Sequence, residues 1–99
     1  MIIPKRFTVN GAKWTVQTVQ YITGPVCHGR TYFSTQHIHI AYTNGRGKFY
    51  TQRQRTEAFW HETIHVALED MGVPVHKHDE KFIDALANRL TQIVNSAEF

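Results

Sequence analysis

His61-Glu62-Thr63-Ile64-His65 is the densest run of chemistry-bearing side chains in this 99-residue sequence. Residues four apart on a helix share one face and lie about 5–6 Å apart at Cβ. Two imidazoles so placed converge on one metal ion, with bonds of about 2.0–2.1 Å if the ion is zinc. Glu62 sits one step round the helix. From there it reaches a water on the ion without taking a coordination position, which is the placement a general base needs. The run matches H-E-x-x-H. Even with seven His in the chain, chance produces the pattern only about 2% of the time. The bland alternative is a helix with two surface His and an exposed Glu.

A catalytic zinc site of this kind needs a third protein ligand. Metzincins place a Gly and a third His soon after the motif; Leu68 and Met71 stand there instead. Glu80 and Asp84, four apart, line one side of a second helix. Glu80-Lys81-Phe82-Ile83-Asp84 resembles the gluzincin pattern E-x-x-x-D. That resemblance implies Glu80 as ligand and Asp84 as acceptor for the first motif His. A carboxylate on the distal N–H of a metal-binding imidazole fixes its tautomer and raises its basicity. Three alternatives remain open. Asp84 is itself a possible ligand, more nearly level with His65 if the helices are antiparallel, though its side chain is short. His76 or His78 can bend in from the interhelical loop. Glu80 can also be an ordinary first-turn acid favoured by the helix dipole.

The elements that must position these groups follow from patterning. Asn10-Gly11 between strand-like runs predicts a hairpin, because both turn residues need positive φ. Its second strand is expected from Lys13 to about Ile22, with a bulge or change of face between Val16 and Val19. Gly24-Pro25 ends it. Residues 30–34 are a weaker strand and residues 37–43 a better one, with Ile38, Ile40 and Tyr42 on one face and His37, His39 and Ala41 on the other. His37 and His39 read as exposed strand residues or as the border of the active-site cleft. Tyr42, Tyr50 or one of these His would then serve as oxyanion donor.

Thr56 is the expected N-cap of the motif helix, taken as the best amphipathic helix, with Phe59, Trp60, Ile64, Ala67, Leu68 and Met71 at helical spacing. Gly72 and Pro74 stop it. Asp79 is the expected N-cap of a second helix striped by Ile83, Leu86, Ala87, Leu90 and Val94, with Phe82 and Ile93 widening the stripe. The short connection makes the two helices antiparallel neighbours. The fold class is therefore α+β: one domain over residues 1–99, with a small antiparallel sheet packed on two C-terminal helices.

Composition agrees with a globular domain. The hydrophobic fraction is 41% and the charged fraction 19%, which excludes a disordered solvating tail. No apolar run approaches the roughly 18 residues of a membrane span, so no membrane association is expected. No secretory signal is read at the N-terminus, and the single Cys27 leaves no internal disulfide; both favour an intracellular location. Net charge is +3. The basic cluster Arg46, Lys48, Arg53 and Arg55 reads as a solvated loop before a helix, or else as a phosphate-binding patch. Without a helix-turn-helix or an RNA-binding motif, nucleic acid is not the expected partner.

The chain resembles a very small zincin metallopeptidase of the gluzincin type. It is similar to the metallopeptidase-like proteins of about a hundred residues encoded by phages and prophages. The resemblance rests on Ile-Pro-Lys-Arg-Phe-Thr-Val-Asn-Gly near the N-terminus, the strand around residues 37–42, the run from Phe59 to Ala67, and Asp79 to Ala87. Zincins usually carry a helix before the sheet, and none is read in residues 1–50, which implies a minimal version of the fold. The resemblance implies a zinc-dependent protease with Zn2+ on His61, His65 and Glu80, Glu62 as general base, Asp84 behind His61, and a peptide or protein substrate. For a phage-encoded chain it also implies the host cytoplasm. The alternatives are a catalytically idle, zinc-stabilised protein-binding module and a basic nucleic-acid-binding protein.

Overall fold

The computed structural model describes residues 1–99. Four strands, β1 (Arg6–Val9), β2 (Ala12–Val19), β3 (Gly29–Tyr32) and β4 (His37–Ala41), precede two helices, α1 (Gln52–Asp70) and α2 (Glu80–Ser96). The fold class is α+β, as the patterning implies. Asn10 and Gly11 take φ of 47° and 80°, and Val9 pairs with Ala12 across this two-residue turn.

The sheet is mixed rather than antiparallel. Its order is β1-β2-β4-β3. The two pairs joined by short turns, β1–β2 and β3–β4, are antiparallel, but β2 and β4 run parallel, with Thr15 opposite His37 and Val19 opposite Ala41. The chain leaves β2, runs to the far edge as β3, and returns through Phe33–Gln36 to fill the central slot as β4. No turn dictates the β2–β4 pairing, so local sequence carries no sign of its direction. The β2 register runs unbroken from Thr15 to Val19, so the expected bulge is absent.

Trp14, Val16, Ile38 and Ile40 point to one side and meet Ala58, Phe59 and Val66 of α1. α2 packs on the other side of α1, where Ile64 meets Ile83 and Ala87. The layers therefore run sheet, α1, α2. Because α1 buries two opposite faces, it is the less amphipathic helix; the one-sided stripe belongs to α2. Phe82 and Ile93 are exposed and do not widen that stripe.

The N-cap of α1 is Thr51, not Thr56. The Thr51 hydroxyl accepts from the Gln54 N–H, and the Gln54 side chain accepts from the Thr51 N–H, forming a capping box. Thr56 is buried one turn inside the helix. Consequently Arg53 and Arg55 stand on α1 and only Arg46 and Lys48 lie in the preceding loop. At the far end Gly72 takes φ of 91°. Val73 N–H donates to Leu68 O and Gly72 N–H to Glu69 O, so α1 closes in a Schellman turn. Asp79 caps α2 by accepting from Phe82 N–H.

Candidate metal centre

α1 presents His61 and His65 one turn apart on the side facing α2, with ring centroids 5.0 Å apart. The first residue of α2, Glu80, reaches across to both. Its Oε2 lies 3.1 Å from His61 Nε2 and its Oε1 lies 3.1 Å from His65 Nε2. The two Nε2 atoms are 3.2 Å apart. These three residues form a group able to hold a metal ion.

Hydrogen bonding behind the rings fixes which atoms carry protons. His61 Nδ1 is 2.8 Å from Asp84 Oδ1; the carboxylate accepts, so Nδ1 holds the proton and Nε2 a lone pair. His78 Nε2 is 2.9 Å from the carbonyl oxygen of Val73. A carbonyl only accepts, so His78 donates from Nε2, and a ring with its one proton there accepts at Nδ1. His65 Nδ1 lies 2.7 Å from that atom and is the donor in this tautomer. The His65 Nε2 lone pair therefore also faces Glu80. Burial, the largest influence on His65, lowers its pKa and favours the neutral ring; the Glu80 charge opposes this. Two lone pairs and a carboxylate thus crowd together with no hydrogen of their own to share, an arrangement that attracts a cation.

Asp84 lies beside His61, not level with His65. His78 backs His65 through Nδ1 and does not itself face the centre, while His76 is exposed and outside the group. The role of His78 was hidden in the sequence. The Schellman turn brings Val73 O under the His78 ring, and a loop His gives no sign of such a bond. In His78→Ala the His65 ring loses its acceptor, and metal affinity should fall about 10–100-fold. His78→Gln keeps an acceptor and should recover part of the loss. Titration against a chromophoric chelator checks both.

Glu62 is 8% exposed. Its Oε1 accepts from the Thr31 hydroxyl of β3 at 2.8 Å, and its Oε2 stands 3.8 Å from His61 Nε2. It therefore borders the donor group without belonging to it. Burial pushes its carboxyl above the ordinary range, against the pull of the Thr31 hydrogen bond. Gly29 makes this close approach of β3 possible. A Cβ there would come within 3.0 Å of Glu62 Cγ and 3.3 Å of His39 O. Gly29→Ala should displace Glu62 or lift the strand, at a cost of about 1–3 kcal/mol in stability, measurable by denaturant unfolding.

The centre opens into a cleft of ≈ 400 Å³ whose walls include His28, Gly29, Gln54, Glu57, His61 and Glu62. His28 is a residue the sequence offered no reason to select; its ring packs 4.1 Å from that of Tyr50. Neither Tyr42 nor Tyr50 lines the cleft, and Arg55 lies 5.2 Å over the Tyr42 ring. His37 and His39 stand on the sheet face away from α1, and β4 is paired on both sides. They cannot border the cleft; the edge strand beside it is β3.

No protein-family model matches this chain, and no curated protein or solved structure was found similar to it.

Proposed function

We propose that the chain is a zinc-dependent peptidase. The observation that carries this reading is the convergence of His61 Nε2, His65 Nε2 and Glu80 at 3.1–3.2 Å, with Glu62 beside them. Ligand atoms of a tetrahedral ion with bonds of about 2.0 Å stand about 3.3 Å apart, so the spacing suits zinc. Two imidazoles and one carboxylate are also a donor set found at catalytic zinc, where one position stays open.

Zinc bound there would acidify a water and polarise a carbonyl. The chain's own residues do the rest. Glu62, fixed by Thr31, takes the proton from the attacking water and passes it to the leaving amine. Asp84 and His78 keep the two imidazoles turned Nε2-inward. His28 is the imidazole on the cleft wall outside the donor group, and so the side chain there with a ring N–H to offer a developing oxyanion. Peptide is the favoured substrate class because β3 is an unpaired sheet edge running past Glu62, and an extended chain can add to it by backbone pairing.

The test is metal analysis of the purified protein, followed by peptide-library cleavage with and without chelator. About one zinc per chain and chelator-reversible cleavage are expected. A His61→Ala chain with full zinc content would sink the metal site. Stoichiometric zinc with no cleavage of any library would leave a metal-stabilised binding module instead.

A further inference from the structure

The charge of this protein is divided along the chain. The first acidic residue is Glu57, and all eight Asp and Glu lie from there onward, whereas eight of the eleven Lys and Arg precede it. The fold turns this into two faces. Glu57, Glu62 and Asp84 gather at the metal cleft. The sheet face away from α1 carries no carboxylate on any strand.

Strand register arranges that open face. One row crosses it as Arg6, Thr15, His37 and Tyr32; a second runs Gln17, His39 and Arg30, and Lys13 lies beside β1. Three rings form its centre. Tyr32 stacks on His37 at 4.5 Å with planes 23° apart, and His39 lies 5.0 Å from Tyr32 and 4.8 Å from His37. Arg6, Lys13 and Arg30 surround them. All three rings are half-exposed, and both helices lie on the other side.

From this we infer that the open sheet face binds single-stranded nucleic acid, independently of the metal centre. Cations flanking a cluster of aromatic rings match a phosphate backbone with unstacked bases. Four strands span about 14 Å, enough for two or three bases. A duplex hides its base faces and would use only the cations. A membrane surface would require large apolar side chains, which this face lacks. The carboxylates of the cleft repel the same backbone, so the strand is confined to the sheet side. In the Arg46–Arg55 cluster, Arg55 is already engaged with Tyr50 O and the Tyr42 ring, which leaves Arg46, Lys48 and Arg53 as the competing cations.

The test is fluorescence anisotropy of the full chain with short labelled oligo(dT) and oligo(rU), across a salt series. Binding should weaken with salt. Replacing Arg6, Lys13 and Arg30 together by Ala should reduce the log–log salt slope by about 2, following about 0.7 per phosphate contact on single strands. Tyr32→Ala and His37→Ala should each weaken binding about tenfold with little change of slope, and Tyr32→Phe should retain it. Thermal melting and zinc affinity of each variant verify that the fold is intact; if Tyr32→Ala melts early, His37→Ala and Tyr32→Phe decide. Loss of binding on replacing Arg46, Lys48 and Arg53, with the sheet variants unaffected, would overturn the inference. So would equal displacement by polyglutamate with no effect of the ring variants, because an acidic protein would then be the better occupant. Absence of salt-sensitive binding to either oligonucleotide would overturn it as well.

Discussion

A Glu80→Ala chain should lose zinc affinity at least about tenfold beyond the loss in Asp84→Ala. The reason is the atom each carboxylate faces. Glu80 meets both Nε2 lone pairs at 3.1 Å, so its removal leaves two imidazoles to hold the ion. Asp84 meets His61 at Nδ1, on the far side of the ring. Without it three donors remain and only the His61 ring is freed to turn, a loss of the size typical for an outer partner, about 10–100-fold. Competition with a chromophoric chelator measures the difference. Melting temperature at fixed zinc should follow the same order, because a metal that binds only the folded chain adds its binding energy to stability. Asp84 can replace Glu80 as ligand only if the His61 ring turns over and the His61–Asp84 hydrogen bond breaks. The reverse order of affinities would mean that it does.

What could be read from the sequence was local. H-E-x-x-H sets its own geometry as soon as a helix forms, and Asn10-Gly11 sets the hairpin turn. Asp79 announces α2 because its cap bond spans three residues. Four features needed the fold. The parallel β2–β4 pair is joined by no short turn. The N-cap at Thr51 was concealed because Gln52-Arg53-Gln54-Arg55 carries no apolar period, so the pattern begins a turn late. Helix α1 lost its one-sided character by packing on both the sheet and α2. The bond between His65 and His78 depends on a backbone carbonyl delivered by the Schellman turn. His37 and His39 show the same limit differently. Alternation placed them together on one face, but only the strand order shows that this face points away from the cleft.

Glu62→Gln should abolish most hydrolysis while leaving the metal in place. Gln has the same shape, and its carbonyl oxygen can still accept from the Thr31 hydroxyl that now bonds Glu62 Oε1 at 2.8 Å. Zinc content should be unchanged, because the donors are His61, His65 and Glu80 and the Glu62 carboxylate stands 3.8 Å from His61 Nε2. What disappears is the ability to take a proton from water, and the rate should fall about 10²-fold or more. Stability separates this loss from structural damage. Burial opposes the ionised form of Glu62, so at neutral pH its charge costs folding free energy that the neutral amide does not. Without metal the variant should therefore melt at or above the temperature of the parent, and with zinc restored it should bind the ion but not cleave. A Gln chain that cleaves as well as the parent would remove Glu62 from the mechanism. A Gln chain that loses zinc would place its carboxylate among the ligands, where the 3.8 Å separation does not put it.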